Sequence, residues 1–152
     1  MPSNHKEGKK NMKSILLVDD DLSILYLLGF VLESKGIEII KATSGVEAVQ
    51  DLKGKKFDIM ITDFNMPRMD GIELAMIAKE LQPDIHIIMI TGHELSPDFV
   101  ETVANAGISQ ILSKPVNLRR LIAMTRGRHT LFIKNKVIQM HRIVSNKVSL
   151  KM

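Results

Sequence analysis

Residues 57–71, FDIMITDFNMPRMDG, run from apolar positions into a lone carboxylate, Asp63, and then into a loop holding Pro and Gly. A carboxylate carried to the end of a buried strand costs solvation free energy unless positive charge meets it. Three other apolar stretches also end on polar groups. ILLVDDD closes on Asp19, Asp20 and Asp21, IIMITGH delivers Thr91, and ILSKPV delivers Lys114. A few carboxylates are the hard oxygen donors that Mg²⁺ takes, usually with waters left for a phosphate to replace. Lys114 brings a second positive charge, and the Thr91 hydroxyl can donate to a phosphoryl oxygen. The set describes phosphoryl transfer with Asp63 as nucleophile, because a carboxylate attacking phosphorus gives an aspartyl phosphate. Singly, each residue is ordinary: an Asp at a strand end more often caps a helix, and three in a row usually mark a solvated loop. Their shared place at the ends of successive strands carries the reading.

The elements that must hold these residues follow from periodicity. SILLVD, IEIIKA, FDIMIT, DIHIIMIT and ISQILS read as five buried strands, and helical patterns lie between them. The first helix, DLSILYLLGFVLESKG, has Asp21 to cap its start and Gly36 to close its end. In the second, Ser44 and Glu47 are spaced as a capping box and Gly54 is placed to end it. The third pairs Asp70 with Glu73 in the same way. The fourth has Ser96 at the cap, Pro97 at the first helical position and Gly107 past its end. A fifth starts from Asn117, with Leu118, Leu121, Ile122 and Thr125 on one face. Five βα units in a row predict an α/β fold, a doubly wound parallel sheet with helices on both faces. In such sheets ligands sit outside the carboxyl ends of the strands, where the strand order reverses.

At 152 residues and 45% hydrophobic content, the chain suits one domain with a real core. It has no cysteine, which removes disulfides, thiolate metal sites and thiol catalysis together. The longest apolar run is too short for a membrane span and the N-terminus lacks a signal-peptide core, so a soluble cytoplasmic protein is expected. The net charge of +4 hides a division: residues 1–13 carry +3, 14–125 carry −6, and 126–152 carry +7 with no acid. The expected organisation is a disordered basic arm at 1–13, one compact domain holding the strand-end residues at 14–125, and a basic extension, helix or flexible tail, at 126–152. Charged termini can simply keep a small protein soluble. Ile133, Val137, Met140, Val144 and Val148 fall at helical spacing in the extension, although its β-branched residues suit a strand as well.

In this order and spacing, ILLVDDD, DIMITDFNMPRMDGIEL, IIMITGH and ILSKPV resemble the receiver domain of two-component response regulators, over roughly residues 14–125. The resemblance implies a five-stranded flavodoxin-like sheet of order 2-1-3-4-5, which brings Asp19, Asp20 and Asp63 together. It implies that Asp63 accepts a phosphoryl group from a phosphohistidine on a sensor histidine kinase or phosphotransfer protein. Asp19, Asp20, Asp63 and the backbone carbonyl of Asn65 would hold Mg²⁺. Thr91 and Lys114 would bind phosphoryl oxygens, and the Lys114-Pro115 peptide would be cis. Output would pass to a downstream protein through the face of helix four, strand five and helix five. Such a domain is a signalling phosphoacceptor rather than an enzyme with a diffusible substrate.

The match departs at Ile111, where receivers commonly carry an aromatic ring tied to the movement of the threonine. That puts the usual output switch in question without touching phosphorylation. Asn65 and His93 stand two residues beyond Asp63 and Thr91, where side chains tune the hydrolytic water. His5, His86, His129 and His141 have no metal-ligand spacing. The sequence argues against nucleic acid and membrane as partners and leaves a homodimer open. Two rivals stand beside the receiver. A Mg²⁺-dependent phosphatase of the haloacid dehalogenase type needs an acid where Asn65 stands, and a binding module with a silent site would retain the acidic, Thr and Lys positions without need.

Overall fold

The computed structural model describes residues 12–127. The described residues alternate strand and helix: β1 (Ser14–Val18), α1 (Leu22–Glu33), β2 (Glu38–Ala42), α2 (Gly45–Gly54), β3 (Ile59–Asp63), α3 (Gly71–Leu81), β4 (His86–Thr91), α4 (Pro97–Asn105), β5 (Gln110–Ser113) and α5 (Leu118–Arg126). The five strands form one parallel sheet in the order β2-β1-β3-β4-β5. This is the doubly wound fold that the alternation and the resemblance imply. The reversal of strand order falls between β1 and β3, as in other sheets that bind ligands at that point.

Burial explains the register. Every residue of β1 and β3 is buried, which fits central strands covered on both faces. Their side chains alternate between two cores. Leu16, Val18, Met60, Ile87 and Met89 pack with α2, α3 and α4. Ile15, Leu17, Ile59, Ile61, Ile88 and Ile90 pack with Leu25, Leu28 and Leu32 of α1 and Leu121 of α5. Each fully buried side chain of this size contributes about 1.5–3 kcal/mol, and a one-residue slip of either central strand would reverse both sets.

The helix starts follow the sequence expectations. Asp21 accepts from the Ser23 and Ile24 amides, Asp70 and Glu73 close a full capping box, Ser96 accepts from Phe99 and Asn117 from Arg120. Gly36 and Gly107 take positive φ where their helices end. Two details differ. Glu47 does not turn back to its cap Ser44; its carboxylate takes both the amide and the hydroxyl of Thr43 instead. Gly54 is the last residue of α2 rather than its stop, and the extended Lys55 caps the helix.

Of the two basic terminal segments expected from the sequence, only Met12, Lys13, Arg126 and Gly127 are described; the rest lies outside the described residues. Among the described residues no helix is long and apolar enough to cross a membrane.

Candidate functional site

Adjacency of β1 and β3 brings the carboxylates together. Val18 pairs with Thr62, so Asp19 and Asp63 leave neighbouring strands at the same level. Ligand atoms of Asp19, Asp20 and Asp63 all lie within 4.8 Å of one another, with Asp19 and Asp63 buried and Asp20 exposed. Lys114 Nζ reaches Asp63 Oδ1 at 2.9 Å. The approach is that of an ion pair rather than an aligned hydrogen bond, for Oδ1 is buried and no hydrogen bond satisfies it.

The loops that carry these groups are fixed by backbone contacts. Phe64 N–H donates to Ile90 O at 2.9 Å and Gly71 N–H donates to Phe64 O at 2.8 Å. A Cβ on Gly71 would collide with the Asp63 carbonyl oxygen, so glycine there lets α3 start directly against the acid's own backbone. On the other side, Lys114 N–H donates to Thr91 O at 2.8 Å, and the Lys114-Pro115 peptide is cis, as the resemblance implies. Thr91 is buried; its oxygen accepts the His93 amide at 2.9 Å, which leaves the hydroxyl proton to be donated elsewhere.

Burial and the neighbouring charges set the electrostatics of the cluster. Burial pushes the Asp19 carboxyl up to about 6; the Asp21 amide, donating at 2.9 Å, opposes this, and repulsion from Asp63 adds to it. Pairing with Asp63 raises the Lys114 ammonium above its ordinary value, against a partial desolvation that lowers it. Two buried carboxylates and one exposed carboxylate make a donor set suited to a hard divalent cation such as Mg²⁺.

The structure therefore gathers Asp19, Asp20, Asp63 and Lys114 in one cluster, and sets Thr91 at the end of β4, next to β3. Asn65 is exposed in the loop after Asp63. Met66 is buried and Met69 half-buried, as apolar packing of that loop. Ile111 is half-buried against the core under α2, α3 and α4. His93 is exposed, yet its ring lies 4.5 Å from Phe99 and 5.8 Å from Phe64, which meet each other edge-on at 5.3 Å. Sequence reasoning took no notice of Phe64 and Phe99. The available signal was their place, one residue after Asp63 and in the first turn of α4.

The family model described as the response regulator receiver domain matches residues 15–126. The chain is 40% identical over 114 residues to the response regulator receiver protein CpdR of Brucella abortus, covering 73% of this chain and 92% of that protein. It is 39% identical over 103 residues to the transcriptional regulatory protein GlrR of Escherichia coli, but spans only 23% of that protein's length. Among solved structures, the chemotaxis response regulator CheY4 of Vibrio cholerae superposes with a TM-score of 0.70 at 31% identity, over 76% of this chain and 97% of that one.

Proposed function

The chain belongs to the response regulator receiver domain family, and on that footing we propose that Asp63 is its phosphoacceptor, loaded from a phosphohistidine on a sensor kinase or phosphotransfer protein in a Mg²⁺-dependent reaction. The observation that carries this is the pairing of a buried, hydrogen-bond-deficient Asp63 carboxylate with Lys114 at 2.9 Å inside a three-carboxylate cluster.

An Asp63 oxygen attacks phosphorus as the phosphorus–nitrogen bond of the donor breaks, leaving the electron pair on the donor imidazole. Asp19, Asp20, Asp63 and the Asn65 carbonyl would hold Mg²⁺, which when bound offsets the negative charge of the carboxylates and of the incoming phosphoryl group. Lys114, free to follow the oxygen it now faces, pairs with one phosphoryl oxygen, and the Thr91 hydroxyl donates to another. The rest of catalysis is positioning, and the site is rigid because strand ends and backbone bonds define it.

Output follows from what Thr91 touches. Its oxygen holds the His93 amide, and the His93 ring lies on Phe99 of α4, so a displaced Thr91 acts on the start of that helix. Ile111 offers no ring to swing. The downstream partner is expected on the face of α4, β5 and α5. The haloacid dehalogenase reading has no support: residue 65 is not an acid and the family is that of receivers.

Beryllium fluoride with Mg²⁺ tests the site by mimicking the acyl phosphate. The natural chain should gain more thermal stability from the two together than from Mg²⁺ alone, and Asp63→Asn should show no such increment. A natural chain indifferent to the pair would leave the silent binding module as the better account.

A further inference from the structure

Helix α1 is built unlike a surface helix. LSILYLLGFVLE carries one charged residue, Glu33. Its inward face is conventional, with Leu25, Leu28 and Leu32 buried under the sheet. The outward face is apolar too. Leu22, Tyr26, Leu27 and Phe30 are 53%, 63%, 51% and 72% exposed, and they make up half of the large exposed hydrophobics among the described residues. A surface helix ordinarily turns polar residues to solvent, and a contiguous apolar stripe marks a surface that something covers. The Lys41 side chain of β2 closes one flank of the stripe. It crosses α1 at Gly29, sets its ammonium 5.8 Å over the Tyr26 ring and pairs with Glu33 at 2.7 Å. That ion pair is satisfied within the domain and offers no net charge to a partner.

Two properties of the face fit a second copy of the chain. The first is area. With about 150–250 Å² to an aromatic side chain, the four residues together leave about 450 Å² of apolar surface open. An interface of standard size takes about 800 Å² from each partner, a little over half of it apolar, so the stripe supplies the apolar share by itself. The second is register. Two copies of one helix that meet across a two-fold axis run antiparallel, and residues equally far from the axis face each other. Exposed Asp21 precedes α1 and exposed Lys35 follows it, about 20 Å apart at 1.5 Å per residue. Asp21 spends one carboxylate oxygen on the Ser23 and Ile24 amides, and Lys35 pairs with no acid among the described residues. Leu28 lies midway between Asp21 and Lys35, and it also lies midway between Tyr26 and Phe30. One register therefore sets Asp21 against the partner's Lys35 and Tyr26 against the partner's Phe30, and symmetry repeats both pairs. Ends of opposite sign suit such a pairing better than an anionic lipid surface, which would repel Asp20 and Asp21.

We propose that the Leu22, Tyr26, Leu27 and Phe30 face of α1 is a dimer interface, on which a second copy of the chain packs its own α1 antiparallel. Its apolar centre is four side chains from each copy, so the dimer forms at micromolar rather than nanomolar concentration. The proposal stands apart from the phosphoacceptor reading, since it needs neither Mg²⁺ nor phosphorylation.

Sedimentation equilibrium of the full chain, from low micromolar to submillimolar concentration, is compared among the natural chain, Phe30→Asp, the milder Phe30→Ser, Lys35→Glu and Met76→Asp. Met76 is equally exposed but lies on α3, away from the face. Circular dichroism confirms that each is folded. The proposal predicts a monomer–dimer equilibrium in the natural chain that Phe30→Asp weakens about thirtyfold or more, with Phe30→Ser in between. Lys35→Glu should weaken it roughly tenfold by setting a carboxylate against the partner's Asp21, and Met76→Asp should leave it unchanged. Tyr26 is the single tyrosine of a chain without tryptophan, so acrylamide quenching of its fluorescence should fall as the natural chain dimerises. A natural chain that stays monomeric throughout would overturn the proposal. A dimer that survives Phe30→Asp, or that leaves Tyr26 quenching unchanged, would overturn it by placing the contact elsewhere. Indifference to Lys35→Glu would overturn the antiparallel register.

Discussion

The two ends of the sheet are built on opposite terms. At the amino end polar groups are matched. The Gln82 side chain accepts the Phe57 amide at 2.9 Å and donates to Leu52 O at 2.9 Å and Lys55 O at 2.8 Å, Asp58 takes the Ser14 amide at 2.8 Å, and Lys79 donates to Ile85 O. The Ser14 hydroxyl is the exception there, buried and unbonded. At the carboxyl end negative charge outweighs its partners: three carboxylates meet, Lys114 pairs with Asp63 at 2.9 Å, and burial drives the pKa of Asp19 up to about 6. One end closes the domain. The other holds an imbalance that a cation and a phosphoryl group can relieve, at a cost in stability that the cores cover.

The contrast makes substitutions at the two ends differ in kind. The largest effect is expected from Gly71→Ala, whose added methyl meets the Asp63 carbonyl and displaces the loop. It should lower stability by about 3 kcal/mol and weaken Mg²⁺ binding as well, read by thermal unfolding with and without the metal. Next is Gln82→Ala, which strands three backbone groups and should cost about 2 kcal/mol while leaving Mg²⁺ binding unchanged. A loss of metal affinity there would show that the two ends are coupled.

Asp19→Asn should act with the opposite sign. Between the ordinary carboxylate value of 3.8 and about 6, the folded protein keeps a proton on Asp19 that the unfolded chain has released. Stability of the metal-free protein therefore falls as pH rises through that window, and the penalty is complete above it. The asparagine variant should lose this slope, be more stable than the natural chain at pH 7.5 by about 2 kcal/mol, and gain little from Mg²⁺. Chemical unfolding from pH 4 to 8 checks all three. The smallest effect is expected from Glu33→Gln, which removes a partly exposed ion pair with Lys41 and should change stability by about 0.5 kcal/mol or less.

What the sequence made legible was local or positional. Caps at Asp21, Asp70, Ser96 and Asn117 were readable because each serves an amide two or three residues away. The cluster was readable because strand ends are marked by apolar runs, once the implied strand order set β1 beside β3. What escaped was action at a distance. Gln82 reaches back 25 to 30 residues, and nothing in its neighbours announces that. Strand starts were set too early because apolar, buried character does not tell where a residue's amide bonds. Phe57, Ile85 and Ile108 are apolar and buried, but their amides bond to Gln82 Oε1, Gln82 O and Val103 O rather than to a strand partner. The ring contacts of Phe64, His93 and Phe99 join three separate segments, so periodicity could not show them.

The central claim is that the imbalance at the carboxyl end exists to make Asp63 a phosphoacceptor. Intact mass of the protein after incubation with acetyl phosphate tests it most directly, with and without Mg²⁺ and beside Asp63→Asn. The account predicts a single phosphoryl adduct on the natural chain that requires Mg²⁺ and is absent from the variant. An adduct that persists in Asp63→Asn, or a natural chain that takes none under conditions where Mg²⁺ binds, would contradict it.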